Sequence, residues 1–461
     1  MPLPKPWSLP PKRILDDKEA AELRKRATKL CSLEENGLDK IVDNNIKANR
    51  MSTTRVAVYN KEGYEVEGAE LQIKQINHDF KFGCSSFLAN GFDSDEKNKI
   101  YEDIFKDVFN QAVVPFYWKD DEPEKRKYRF EKGSDFRYRR PPADEILDFC
   151  ERTNCMPKGH NLFWPSTMHG LPAWLKGLSE REIKNEIEKR IHLIAEKYAD
   201  KIPVFDVTNE FIGTQWGNGL IDGNYDVRIW KLANELFYND ELIINDFHCF
   251  FNDHYLGRAS ALYQQVQKLK ANGIRVDGVG IQCHYFHNED MLCDDEPKKL
   301  DAVHMLEMIN TYSELDAKIH LSEITIASYD AREEYVKMQE TLATNLYKLW
   351  FSCEKVDSIV WWNLVDNTAV PAQPNAAFDE NYFGGGLLYK DMREKPAMVS
   401  LRNLITKEWH TELSAVTDKN GYAQFTGFNG EYEITVKCGN DTKTERIRLN
   451  KNTPLTQIIL D

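Results

Sequence analysis

The sequence lacks an excess of positive charge, a long apolar run and a recognisable leader. Its 461 residues contain 60 Lys and Arg against 74 Asp and Glu, a formal net charge of −14. Nucleic-acid binders and proteins that bind anionic membranes concentrate positive charge, so we expect neither partner. No stretch approaches the roughly 18 apolar residues of a membrane span. Residues 1–13 contain no apolar core of a secretory signal, so we expect a cytoplasmic protein, or a secreted or periplasmic one whose signal has been removed.

The sequence also lacks the usual signatures of metal and cofactor sites. Its nine cysteines are odd in number, and no two of them have the CxxC spacing of a zinc site. We interpret them as free thiols rather than as a disulfide framework. No glycine-rich phosphate loop or calcium-loop spacing is present, so we expect no metal and no cofactor.

The dominant pattern is an alternation of short apolar runs with helical segments, which predicts an α/β fold. Eight such runs with helices between them fit a (β/α)8 TIM barrel over residues 80–408. A doubly wound sheet is the alternative, but polar residues at so many strand ends favour the barrel. The predicted strands are 80–84, 111–117, 157–164, 204–210, 242–247, 278–284, 319–324 and 359–364.

Both ends of the chain depart from this alternation. Residues 1–50 begin with a proline-rich arm and continue as helices, whose apolar faces we assign to Leu23, Ala27 and Leu30 and then to Leu38, Ile41 and Ile46. Residues 51–79 predict two strands, and residues 409–461 predict a small all-β module. Because neither piece is stable alone, we expect them to pack together as one small β-sandwich with a structural role.

Polar residues stand where the predicted strands end, and the carboxyl ends of barrel strands hold the active sites of barrel enzymes. The fourth strand ends in Asn209 and Glu210, and the seventh carries Glu323. A lone glutamate is more often a salt-bridged structural residue, but here several polar strand ends converge on one mouth. The others are His160 and Trp164, Asn245 and Asp246, Gln282 and His284, and Trp362 and Asn363.

Two carboxylates at one mouth can hydrolyse a glycosidic bond, one as acid and base and the other as nucleophile. Crowding raises the pKa of one carboxyl group, which keeps the acid protonated near neutral pH. In this interpretation His284 orients the nucleophile, Asn209 donates to a sugar hydroxyl, and Trp362 forms the apolar floor under the reacting sugar.

Short motifs follow one another in order over about residues 78–408. They are Phe82-Gly83, Phe109-Asn110 with Lys119, Gly159–Trp164, Asp206–Glu210, Leu242–Asp246, Asp277–His284, Ser322–Thr325, Trp361–Asp366 and 387–397. In these motifs the chain resembles glycoside hydrolase family 10, the β-1,4-xylanases. The resemblance implies a retaining mechanism with Glu210 as acid/base and Glu323 as nucleophile, and sugar binding by Lys119, His160, Trp164, Gln282 and Trp362.

The chain also departs from the family pattern. Pro115 and Phe116 replace a Glu and an Asn, Pro165 replaces a His, and Thr325 replaces an Asp. These changes spare both carboxylates, and we expect Pro115, Phe116 and Pro165 to open apolar room for a decorated or unusual sugar.

We therefore predict an endo-β-1,4-glycanase acting on xylan or a decorated xylan, as a monomer with a polysaccharide or oligosaccharide substrate. The same mechanism on another β-glucan or β-glycoside conjugate is one alternative. A barrel that binds carbohydrate without cleaving it is the other.

Overall fold

The computed structural model describes residues 17–212, 224–247, 254–285, 300–329, 332–372 and 379–460. Each helix in these ranges is too short or too polar to cross a lipid bilayer. Seven of the nine cysteines lie in these ranges as free thiols, whereas Cys249 and Cys293 lie outside the described residues.

The described chain begins with two helices, α1 (Asp17–Cys31) and α2 (Asp39–Arg50). The inner face of α2 carries Val42 and Ile46, which are buried at a spacing of four residues. The prediction that Ile41 belongs to this face is wrong, because its side chain is 51% exposed.

Eight parallel strands close into a barrel in which every strand pairs with its sequence neighbours and the last pairs with the first. The predicted barrel is therefore confirmed. Strands such as β4 and β6 are buried along their whole length, as expected of parallel strands covered by helices. The strands are β3 (Lys81–Ser85), β4 (Gln111–Pro115), β5 (Met156–Phe163), β6 (Val204–Asn209), β7 (Glu241–Asp246), β8 (Gly278–Tyr285), β9 (Lys318–Ile326) and β10 (Val356–Trp361).

Helices alternate with these strands, and their caps follow from the local sequence. One of them starts with a capping box in which Ser179 and Glu182 bond each other's backbone N–H groups. The helices are α3 (Asp95–Val108), α4 (Trp118–Asp121), α5 (Ala143–Thr153), α6 (Glu180–Tyr198), α7 (Asp226–Leu236), α8 (Ala261–Ala271), α9 (Ala302–Ser313), α10 (Glu333–Ser352) and α11 (Pro396–Asn403).

Seven further strands form two antiparallel-rich sheets outside the barrel. One sheet has the order β12-β1-β15 and the other the order β11-β2-β13-β14, so each contains one strand from before the barrel. Leu71, Phe425 and Tyr432 are among the apolar residues buried between the sheets. The strands are β1 (Met51–Tyr59), β2 (Glu70–His78), β11 (Glu412–Val416), β12 (Tyr422–Phe428), β13 (Gly430–Cys438), β14 (Asp441–Leu449) and β15 (Thr456–Ile459).

The buried guanidinium of Arg50 joins these sheets to the barrel. Arg50 is the last residue of α2 and directly precedes β1. Its Nε donates to the carbonyl of Phe351 at 2.6 Å, and its Nη2 donates to the carbonyls of Cys353 at 2.5 Å and Val356 at 2.7 Å. Burial lowers the pKa of Arg50 to about 10, far above neutral pH, so the group remains a cation.

Replacing Arg50 with Gln is expected to lower the free energy of unfolding by about 2–4 kcal/mol, because buried carbonyl groups lose their donors. Urea denaturation of both proteins measures the difference. Arg55→Gln is the matched control, since Arg55 is exposed on β1, and it is expected to change stability by less than about 0.5 kcal/mol. Equal effects of the two substitutions would contradict the anchoring role.

Candidate active site

Glu210 and Glu323 both lie at the carboxyl-end mouth of the barrel. Glu210 directly follows β6, and its backbone N–H donates to the carbonyl of Asn245 at 2.9 Å. It has a φ of 46°, a left-handed conformation that is uncommon for a non-glycine residue. Glu323 lies within β9, where the pairing with β8 shifts register beside Gln282.

The carboxylate of Glu323 is held on both oxygens and is 4% exposed. His284 Nε2 lies 3.0 Å from Oε2, and Asn245 Nδ2 donates to Oε1 at 2.7 Å. The other ring nitrogen of His284 lies 3.0 Å from the hydroxyl of Thr325. Thr325, one of the departures from the family pattern, therefore holds the ring of His284 in place.

Asn245 connects the surroundings of the two carboxylates. Its amide nitrogen donates to Asn209 Oδ1 at 2.7 Å as well as to Glu323, and its Oδ1 accepts from Ser322 Oγ at 2.5 Å. Gln282 Nε2 lies 3.2 Å from the same Asn209 oxygen and 3.3 Å from Glu210 Oε1. A continuous path of side-chain hydrogen bonds therefore runs from Glu323 to Glu210.

Gly280 makes room for the amide of Asn245. A Cβ atom at position 280 would lie 2.5 Å from Asn245 Oδ1, closer than packed atoms approach. The glycine in the Asp277–His284 motif is thus required by this close approach rather than by a turn.

Glu210 has an electrostatic environment unlike that of Glu323. Burial, the charge of Glu323 and the charge of Asp246 raise its pKa to about 8, against smaller opposing effects of Gln282 and the Trp164 indole. A carboxyl group with this pKa is mostly protonated at neutral pH and can donate a proton.

His160 lies between a buried ion pair and Glu323. Its Nδ1 is 2.8 Å from Asp206 Oδ2, and its Nε2 is 4.0 Å from Glu323 Oε1. Lys158 pairs with the other oxygen of Asp206 at 3.0 Å. Burial alone would raise the pKa of Asp206, but Lys158 and His160 outweigh it and lower the pKa, so this carboxylate is ionised and orients the imidazole.

Aromatic rings line the mouth beside these polar groups. The ring of Trp362 meets His160 edge-on at 5.5 Å and His284 at 6.0 Å between centroids. Tyr117 lies 5.5 Å from His160 and 5.9 Å from Trp164, also edge-on. Burial raises the pKa of Tyr117, Arg140 and Arg139 oppose the rise, and Glu323 and Glu210 add to it. The Tyr117 hydroxyl is therefore close enough to both carboxyl groups to interact with them electrostatically.

The sequence interpretation missed Tyr117 and misplaced its neighbour Phe116. Phe116 is fully buried on the outer side of the barrel, where it packs against α6 and β6. Its ring centroid lies 5.2 Å from that of Tyr198 and 5.8 Å from that of Phe205. The expectation that it adds apolar surface to the cleft is wrong. The alternation along the strand could have located Tyr117, because Val113 shares its inward cluster whereas Val114 packs outward with Phe116.

Lys119 lies in α4, two residues after Tyr117. It is exposed, and its Nζ donates to the carbonyl of Met168 at 2.9 Å. His169, the next residue, stacks on Trp164 with ring centroids 5.5 Å apart. Lys119 is thus connected to the mouth through the loop that carries Trp164.

Three potential metal ligands, Glu241, His320 and Asp357, lie together at the opposite end of the barrel. Two ammonium groups already neutralise this cluster. Lys318 Nζ is 2.5 Å from Glu241, and Lys81 Nζ is 3.0 Å from Asp357. We therefore assign the cluster a structural role, in which its ion pairs join strands at the amino-terminal end of the barrel.

Comparison with known proteins gives one family. The model of the family described as "Glycosyl hydrolase family 10" matches residues 74–403. Endo-1,4-beta-xylanase 1 of Arabidopsis thaliana is 23% identical over 383 residues, which cover 82% of this chain and 35% of that protein. Anti-sigma-I factor RsgI6 of Acetivibrio thermocellus is 24% identical over 389 residues, covering 84% and 45%. The chain thus spans about a third to a half of the length of these relatives.

Among solved structures, the xylanase 10B of Thermotoga petrophila in complex with xylobiose superposes with a TM-score of 0.55. It is 19% identical, and the match covers 72% of this chain and 95% of that one. At this identity the likeness establishes the shared fold.

Changing Glu323 to Gln is expected to lower the pKa of Glu210 from about 8, because a neighbouring negative charge is removed. Carbon-13 NMR titration of glutamate-labelled protein measures this pKa. Glu307→Gln, at an exposed position on α9, is the control and is expected to leave it unchanged. An unshifted wild-type value near 4.5 would contradict the assignment.

The raised pKa also makes stability depend on pH. Above pH 4.5 the unfolded chain releases a proton that folded Glu210 retains, so its contribution lowers the free energy of unfolding progressively up to about pH 8. Glu210→Gln is expected to gain stability relative to wild type across this window. Urea denaturation at pH 4, 6 and 8 measures the change, and a difference that does not vary with pH would refute it.

Proposed function

Because the chain belongs to glycosyl hydrolase family 10, we propose that it hydrolyses internal β-1,4 linkages of xylan or a decorated xylan with retention of configuration. The observation that carries this proposal is the contrast between the surroundings of two carboxyl groups at the mouth of the barrel. Glu323 has Asn245 and His284 on its oxygens, whereas the pKa of Glu210 is raised to about 8. One group is suited to attack as an anion and the other to donate a proton.

In the first step, Glu323 attacks the anomeric carbon while Glu210 protonates the departing glycosidic oxygen. The bond between that carbon and that oxygen breaks, and a glycosyl ester forms on Glu323. The donors on Glu323 fix its direction of attack.

In the second step, Glu210 acts as a base. Ester formation removes the charge of Glu323, which is one of the causes of the raised pKa of Glu210. The pKa therefore falls, and the ionised Glu210 takes a proton from the water that attacks the anomeric carbon. Glu323 leaves as a carboxylate and the starting charges return.

Substrate contacts follow from the groups that remain free to bond sugar. The oxygen of Asn209 accepts from Asn245 and Gln282, so its amide nitrogen is the group directed to a sugar hydroxyl. Trp362 supplies the apolar floor. We assign His160, Trp164, Gln282 and Lys119 to the remaining contacts with the glycan.

We further propose a monomer whose chain divides at residues 1–50, 51–79, 80–408 and 409–461. The pairing of β1 with β12 and of β2 with β11 supports treating the second and fourth parts as one structural module. We assign this module a structural role rather than a role in sugar binding.

A panel of xylans, other β-glucans and aryl β-glycosides tests the substrate class. Release of new reducing ends from xylan supports an endo-xylanase, and release from another glucan alone changes the substrate but keeps the mechanism. Binding of xylan without hydrolysis would contradict the enzymatic function and indicate a carbohydrate-binding barrel.

Glu323→Ala is expected to lower kcat by a factor on the order of 10⁴ or more, because the nucleophile is lost. Proton NMR of early products from the wild-type protein is expected to show the β-anomer first. An α-anomer as the initial product would mean that the mechanism inverts and that Glu323 has another role. Glu307→Gln serves as the control for kcat.

A further inference from the structure

The segment between α4 and α5 is basic, although the chain as a whole is acidic. From Glu122 to Arg140 it holds eight Lys and Arg and four Asp and Glu. Arg139 and Tyr138 both donate to the carbonyl of Thr368, which follows β10. The segment therefore reaches across the mouth of the barrel to the loop after its last strand.

Most cations of this segment are neutralised by carboxylates within 4.0 Å. These pairs are Lys125 and Arg126 with Glu186, Lys127 with Glu124, Lys132 with Asp148, and Arg137 with Asp120. Arg139 and Arg140 differ from them in burial and in partners.

Arg140 lies directly over the ring of Tyr117, with its guanidinium carbon 3.6 Å from the ring centroid. Its nearest carboxylate is Asp120, 3.4 Å from Nε and already paired with Arg137 at 2.9 Å. Its Nε has no hydrogen-bond partner among the described residues. The guanidinium therefore retains bonding capacity beside an aromatic face.

Arg139 is 4% exposed, and no carboxylate of the described ranges lies within 4.0 Å of it. One of its terminal nitrogens donates to Thr368, but its Nε is buried without a partner in the part of the chain that the structure describes. The charge of Glu380 acts on this cation from beyond 4.0 Å, so a carboxylate bonded directly to the guanidinium would further offset the cost of its burial.

Both guanidiniums lie beside the reacting centre. They flank the ring of Phe87, at 5.4 Å for Arg139 and 5.7 Å for Arg140, and that ring meets Trp362 edge-on at 5.2 Å. On the other side, Tyr117 separates Arg140 from His160. A sugar bound over Trp362 would thus carry its substituents toward the two arginines.

Building on the proposed function, we propose that Arg139, Arg140 and Tyr117 form a subsite for the carboxylate of a uronic acid carried by the glycan. A guanidinium binds a carboxylate through two parallel hydrogen bonds, and the ring of Tyr117 offers an apolar face to the sugar. The carboxylate of the substituent would accept from guanidinium nitrogens of Arg139 and Arg140 that have no hydrogen-bond partner within the described chain.

The test compares xylo-oligosaccharides that carry one glucuronic acid with the same compounds as methyl esters, which keep the size but not the charge. For the wild-type protein, kcat/KM is expected to be about tenfold or more higher for the acid, a difference of about 1.4 kcal/mol. The preference is expected to shrink as salt rises from 0.05 to about 0.5 M. Equal values for acid and ester would overturn the proposal.

Arg140→Gln is expected to reduce the ratio of kcat/KM for the acid to kcat/KM for the ester toward one. Arg140→Lys keeps the charge but loses the two parallel N–H donors of the guanidinium, so it is expected to give an intermediate ratio. Lys132→Gln, the same charge change on the same segment, is the control and is expected to retain the wild-type ratio. A ratio unchanged in a folded Arg140→Gln protein would exclude Arg140. Melting temperatures establish that each variant is folded.

Failure of the proposed function is distinguishable from failure of the subsite. If neither compound is hydrolysed, the proposed reaction is wrong, and titration calorimetry of the same acid and ester still measures the charge preference. Tighter binding of the acid by wild type, lost in Arg140→Gln, supports the subsite, and equal binding of acid and ester overturns it.

Discussion

The amide of Asn245 is the interaction on which the site depends. Its nitrogen donates hydrogen bonds to both Glu323 and Asn209, and its oxygen accepts one from Ser322. Four neighbouring strands, β6 to β9, must keep their register for these contacts to form, and β8 must carry Gly280 where the amide passes. A buried network of this kind is favourable only when every member has its hydrogen-bond partners. The geometry of the mouth therefore depends on the same strand register that closes the barrel.

The network also makes two chemically identical side chains different. Donors contact both oxygens of Glu323, whereas burial and the charges of Glu323 and Asp246 raise the pKa of Glu210 against the smaller opposing effects of Gln282 and Trp164. The raised pKa of Glu210 therefore comes from its neighbours rather than from the glutamate itself. It is already present in the protein without sugar, so little reorganisation is needed when substrate arrives.

Much of this architecture was predictable because it follows local periodicity. Each of the eight barrel strands is a short apolar run, and Glu210 and Glu323 interrupt two such runs near their ends. The inward position of Phe116 that the family pattern indicates is wrong, because the alternation that begins along β4 directs Val114 and Phe116 outward and Val113 and Tyr117 inward. Arg140 could not be placed, because it belongs to a non-periodic segment whose position depends on contacts remote in sequence.

The order of strands in the outer sheets has a consequence for biosynthesis. Strand β1 pairs with β12 and β15, which leave the ribosome only after the whole barrel has been made. Until then β1 and β2 expose unpaired edges, which are templates for association with other chains. Cutting the chain after the barrel would make this temporary exposure permanent. The strands within residues 409–461 thus protect the nascent protein from aggregation by pairing with β1 and β2.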